Sequence, residues 1–94
     1  MFSRRRNVTV RINREIDPIT QFFLWSCIDM LPVKTDYLQV FELVAVPNGL
    51  KVIHKQEIPE YKKEYLIPCE QALTAKIFVI DDGQYATMLF SDEY

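Results

Sequence analysis

The chain has 94 residues, 49% of them hydrophobic and 13% aromatic, with a formal net charge of −2. That is enough apolar material for one core and too little length for two, so a single domain over residues 1–94 is expected. Apolar runs such as FFLW at 22–25 fall far short of the roughly 20 residues of a membrane span. Met1 to Arg14 passes from a basic cluster into an alternating segment instead of a signal sequence, so a soluble, cytoplasmic protein is expected. Cys27 and Cys69 have neither CxxC spacing nor histidine companions, which argues against zinc or thioredoxin-type chemistry and for two reduced thiols.

In chain order, Val8, Val10 and Ile12 alternate with Asn7, Thr9 and Arg11, the period of a first strand with one buried face. IDP at 16–18 predicts a helix with Asp17 as its capping residue and Pro18 at its first position, running to about Leu31 before Pro32. Ile19, Phe23, Leu24, Cys27, Met30 and Leu31 fall on one stripe and are expected in the core, with Gln21, Asp29, Phe22 and Trp25 on the other side. LQVFELVAV and LKVIHKQEI flank PNG, predicting a hairpin about Asn48-Gly49 that sets Glu42 opposite Lys55, Val44 opposite Ile53, Leu43 opposite His54 and Phe41 opposite Gln56. The same logic applied to Asp82-Gly83 pairs Val79 with Ala86, Ile77 with Met88 and Ala75 with Phe90.

Between these hairpins, residues 60–67 read as a strand with Tyr61, Lys63, Tyr65 and Ile67 on one face and Glu60, Lys62, Glu64 and Leu66 on the other. His54 and Glu57 resemble a metal-binding or proton-transfer pair, but their odd spacing sends them to opposite faces of a strand, so His54 is expected to be structural. Residues 69–75 either hold a short turn of helix or simply connect.

FFLWSCID, DYLQVFEL, IHKQEIPEYKKEY and KIFVIDDGQYATMLFSDEY together resemble a family of small Firmicutes proteins, domain of unknown function 960. The resemblance implies a bacterial cytosolic protein and supplies no activity, cofactor or catalytic residue.

Both glycines are taken by turns, which leaves none to cradle a phosphate. No nucleophile elbow accompanies the single histidine, and Asp before Gly at 82–83 is what a turn demands. No catalytic, cofactor-binding or metal-ligating residue is therefore assigned. The Arg4–Arg6 cluster and the lysines around Tyr61 and Tyr65 could meet phosphates, but Glu57, Glu60 and Glu64 sit among them, which argues against a nucleic-acid partner.

These elements predict an α+β domain: a mostly antiparallel, strongly twisted five- to six-stranded sheet with one main helix on one face, in β-α-β-β-β-β-β order. One helix about 10 Å wide cannot cover such a sheet. Phe78, Ile80, Tyr85 and Leu89 are nevertheless apolar on the face opposite Ile77, Val79, Met88 and Phe90. Either the sheet curls to enclose this second set or another molecule covers it. With Phe22 and Trp25 they form the candidate interface of a non-enzymatic interaction or accessory protein, expected to be a homodimer or to bind another protein. The alternative is a small-ligand-binding module, its pocket in the curled sheet and its ligand small and apolar; His54, Tyr61 and Tyr65 are the secondary candidate site for a ligand or partner.

Overall fold

A computed structural model describes Phe2 and residues 5–94. The chain forms β1 (Arg5–Val8), α1 (Val10–Glu15), α2 (Pro18–Asp29), β2 (Leu38–Val46), β3 (Gly49–Gln56), β4 (Tyr61–Ile67), β5 (Ala75–Asp81) and β6 (Tyr85–Phe90), closing with a 3-10 turn at Ser91–Glu93. The six strands make one sheet in the order β1-β6-β5-β2-β3-β4. Every pairing is antiparallel except β1 with β6, so the sheet is mixed. β4 lies between the two hairpins in the chain but at the edge of the sheet, because β5 pairs with β2. The 69–75 segment contains no helix; it carries the chain back to β5.

The alternating N-terminal pattern stops earlier than its period suggests. The strand ends at Val8, and Thr9 caps α1 by accepting a hydrogen bond from the Ile12 amide on its hydroxyl. Ile12 is then fully buried while Val10, two residues away, is 79% exposed. The Thr9 hydroxyl also donates to Glu93 Oε1, which accepts from the Phe90 amide as well, so the closing turn is tied to the start of α1. Arg11 adds an ion pair with Asp92 and lies over the Phe90 ring.

Pro18 opens α2 as expected, but the Asp17 side chain makes no capping bond. The buried stripe is Thr20, Leu24, Cys27 and Ile28, with Phe23 and Leu31 packed beside it. Ile19 and Met30, expected inside, are 77% and 67% exposed. The helix is apolar around most of its circumference, so the pattern leaves its rotation poorly determined, and packing against the sheet decides it. Trp25, expected outside, is half-buried against the core with the Arg6 guanidinium 4.7 Å above its ring. Arg6 also pairs with Asp29, joining β1 to the end of α2.

Both hairpin registers differ from expectation by two residues. In the first, Val46 pairs with Gly49, so Pro47 and Asn48 are the turn. Pro47 supplies a fixed φ and Asn48 takes φ 67°, the combination of a type II turn. Gly49 is needed for another reason: a Cβ there would lie 2.7 Å from the Ile67 carbonyl oxygen of β4. Glu42 consequently faces Ile53, Val44 faces Lys51, Leu43 faces Val52 and Phe41 faces His54. In the second hairpin Asp82 N donates to Tyr85 O, which makes Gly83 and Gln84 the central residues, Gly83 at φ 99°. Asp81 Oδ1 accepts from Gly83 N and Asp82 Oδ1 from Gln84 N and Tyr85 N, so the two carboxylates brace the turn. Ile77 now faces Phe90, Val79 faces Met88 and Asp81 faces Ala86. A shift of two preserves the face each side chain takes, so the division into inner and outer residues survives.

The inner face, covered by α2, holds Phe41, Leu43, Leu50, Val52, Ile77, Val79, Ala86, Met88 and Phe90, all buried.

Candidate interaction surface

The outer face is built from the alternate residues of the same strands: Leu38, Val40, Glu42 and Val44 of β2; Lys51, Ile53 and Lys55 of β3; Lys62, Glu64 and Leu66 of β4; Lys76, Phe78 and Ile80 of β5; and Tyr85, Thr87 and Leu89 of β6. It has two halves. Toward β5 and β6, Phe78, Ile80, Leu89, Leu38 and Val40 are half-buried by their neighbours alone, with Tyr85 exposed beside them. The Tyr94 ring stands edge-on to Phe78 at 5.9 Å and Lys76 lies over the same ring, so Phe78 is only partly shielded. Toward β3 and β4 the face is a charge ladder, in which Lys55 pairs diagonally with Glu42 at 3.1 Å and Lys51 with Glu64 at 3.0 Å. The bond from Lys51 holds the Glu64 carboxyl below its ordinary range. A groove of about 760 Å³ runs along the join, lined by Leu38, Val40, Lys55, Glu57, Glu60, Lys62 and Lys76 among others.

Of the residues proposed from sequence as one interface, Phe78, Ile80, Tyr85 and Leu89 come together on this face, whereas Phe22 and Trp25 belong to α2 on the opposite side of the sheet. Phe22 is 73% exposed there. Leu38 and Val40 complete the apolar half and were missed; they follow from the pairing of Leu38 with Ile80 and Val40 with Phe78, and no local pattern announces that β2 and β5 are neighbours.

His54, Tyr61 and Tyr65 also come together, but inside. His54 is fully buried, stacked on Phe41 at 4.4 Å and edge-on to Tyr61 at 5.4 Å. Tyr65 meets Phe23 edge to face at 5.2 Å. Gln39 Nε2 donates to Gln56 Oε1 and to Asp36 O, which leaves Gln39 Oε1 to accept from His54 Nε2 at 2.7 Å. The imidazole therefore carries its proton on Nε2, and Nδ1 has no partner among the described residues. With nothing anionic to hold a second proton, burial lowers the His54 pKa to about 4. Gln56 completes the chain by donating to Lys34 O and Pro59 O while accepting from the Asp36 amide. This buried network ties the 31–37 linker and the 57–60 turn to the end of the sheet. Burial likewise raises the Cys27 thiol to about 11 and pushes the Tyr65 phenol up. Both cysteines are free. Among the described residues no cluster of three or more His, Cys, Asp or Glu could hold a metal ion, and no helix is long and apolar enough to cross a membrane.

A mixed six-stranded sheet with helices on one side and an open, half-apolar face on the other defines an α+β module. The chain belongs to the family described as Staphylococcal protein of unknown function (DUF960), whose model matches residues 5–93. Its fold is similar to that in the crystal structure of a protein of unknown function from Enterococcus faecalis, with a TM-score of 0.83 at 21% identity over 97% of this chain and 91% of that one. No curated protein matches the chain.

Proposed function

We propose that this chain is a non-enzymatic interaction module of the bacterial cytoplasm that associates with a second copy of itself through the outer face of its sheet. The observation that carries the reading is that Leu38, Val40, Phe78, Ile80 and Leu89 form a continuous apolar surface over which, among the described residues, no element folds apart from the edge-on Tyr94 ring. Six strands about 4.8 Å apart and about seven residues long present roughly 650 Å² in projection, close to the roughly 800 Å² per partner of a stable interface. The apolar half alone offers about half of that, so the charged half must take part. Its lysines and glutamates are nearly balanced, which suits a surface that meets itself and not a polyanion.

Sedimentation equilibrium across a wide concentration range tests the reading. A dimer that persists to low micromolar concentration and dissociates on Phe78→Ser supports it. A soluble monomer overturns it.

A further inference from the structure

We infer that the second copy docks about a two-fold axis running across the strands, between the row Ile80–Leu38 and the row Phe78–Val40, so that Lys55 and Lys62 of each copy meet the partner's Glu57 and Glu60. The inference rests on the self-association proposed above and adds its register.

The strand pairings arrange the outward residues in rows. One runs Thr87, Ile80, Leu38 and continues toward Glu57 and Glu60, just past the Gln56–Tyr61 pair. The next runs Leu89, Phe78, Val40, Lys55, Lys62, and the third Lys76, Glu42, Ile53, Glu64. Lys55 and Lys62 are directly opposite each other on one face, an arrangement that costs stability within one copy. Lys55 is relieved by Glu42. Lys62, Glu57 and Glu60 have no ion-pair partner among the described residues, and all three line the same groove.

Two sheets packed face to face keep their strand directions roughly aligned, so the axis runs along the strands or across them. An axis along the strands through the middle of the sheet lays β5 of one copy on β2 of the other and β6 on β3. This sets Leu89 against the partner's Lys55 and Thr87 against its Glu57, so that both charges are covered with no opposite charge of the other copy to meet them, which is costly. An axis across the strands sets each strand over its own counterpart, and the apolar half meets the apolar half. Charge then fixes its position. An axis through the Lys55–Lys62 row would press those lysines on themselves. One on the far side, toward Glu42 and Glu64, would face carboxylates that already have lysine partners and would set Val40 and Phe78 against Glu42 and Lys76. The step between the first two rows remains: Ile80 and Leu38 cover the partner's Phe78 and Val40 while the unpaired lysine and glutamates come into contact.

The test uses two full-length variants, Lys55→Glu/Lys62→Glu and Glu57→Lys/Glu60→Lys, whose sites are exposed or half-exposed so that folding, checked by circular dichroism, is retained. Each alone places like charges across the axis and should weaken the homodimer by about tenfold or more at low salt. Mixed, the two should form a heterodimer within a few-fold of wild-type affinity, read by sedimentation. If both reversals leave the dimer unchanged, or no heterodimer forms on mixing while Phe78→Ser still dissociates the wild type, the register is wrong and self-association stands. A monomeric wild type overturns both.

Discussion

The inner and outer faces of the sheet are made by alternate residues of the same strands, yet they are built on different rules. Inside, Phe41, Leu43, Val52, Ile77, Val79 and Met88 are almost wholly removed from water and α2 supplies the cover. Outside, Phe78, Ile80 and Leu89 are of similar size and apolarity but are only half-buried, by their neighbours in the sheet and, at Phe78, by the edge-on Tyr94 ring. Side-chain chemistry alone does not distinguish the two sets; what lies over them does. The comparison is sharpened by asking where a lost side chain registers, in folding or in assembly.

The largest effect is expected inside. Phe41→Ala should cost about 3–5 kcal/mol of folding stability in urea denaturation, because a fully buried ring stacked on His54 leaves a cavity that the flanking strands cannot close. A loss below about 1 kcal/mol would mean that the inner face is not the packed core described here.

Next comes the buried histidine. His54 is neutral in the folded protein with a pKa of about 4 against 6.5 when unfolded, so the unfolded chain takes up the proton first as pH falls. Its contribution is fully present above pH 6.5, is lost as pH falls from there to about 4, and changes no further below that. The whole span is on the order of 3 kcal/mol at about 1.36 kcal/mol per pH unit. His54→Gln should lower stability overall and flatten this part of the pH profile; an unchanged slope would show that other groups set it.

Gly49→Ala should follow at about 2 kcal/mol, since a Cβ placed 2.7 Å from the Ile67 carbonyl oxygen must push edge strand β4 away from β3. Smaller again on folding is Phe78→Ser, about 1 kcal/mol from a half-exposed ring, while its effect on assembly should be the greater one. If Phe78→Ser destabilises the monomer as much as Phe41→Ala does, the outer face is core and the distinction between the faces collapses.

How much of this was legible follows from what each signal measures. The strands and hairpins were readable because period-two alternation and turn residues are local, and even the two-residue register errors left every side chain on its face. The errors themselves arose because PNG and DG each admit more than one turn: proline placed the first turn one residue earlier, and paired aspartates placed the second one residue later. The end of β1 was illegible because Thr9 serves equally as a strand residue and a helix cap, and only the bonds to Ile12 and Glu93 settle which. The pairing of β2 with β5 is non-local, so nothing in either segment placed Val40 beside Phe78 or revealed the apolar half as one surface. Gln39 and Gln56 look like ordinary polar residues in sequence; they are buried because Gln39 bonds both Gln56 and His54, and Gln56 donates to the Lys34 and Pro59 carbonyls.

The smallest expected effect is the most discriminating. Ile19, Phe22 and Met30 leave a second apolar stripe on the outward side of α2, on the far side of the sheet from Phe78. A helix of 12 residues is about 18 Å long and about 10 Å wide, too little area to hold a stable dimer by itself. Phe22 is 73% exposed, so Phe22→Ser should change folding stability by less than about 0.5 kcal/mol and leave the sedimentation profile unaltered. A loss of assembly in Phe22→Ser, with Phe78→Ser still dimeric, would move the interface to the helix and leave the outer sheet face to some other partner.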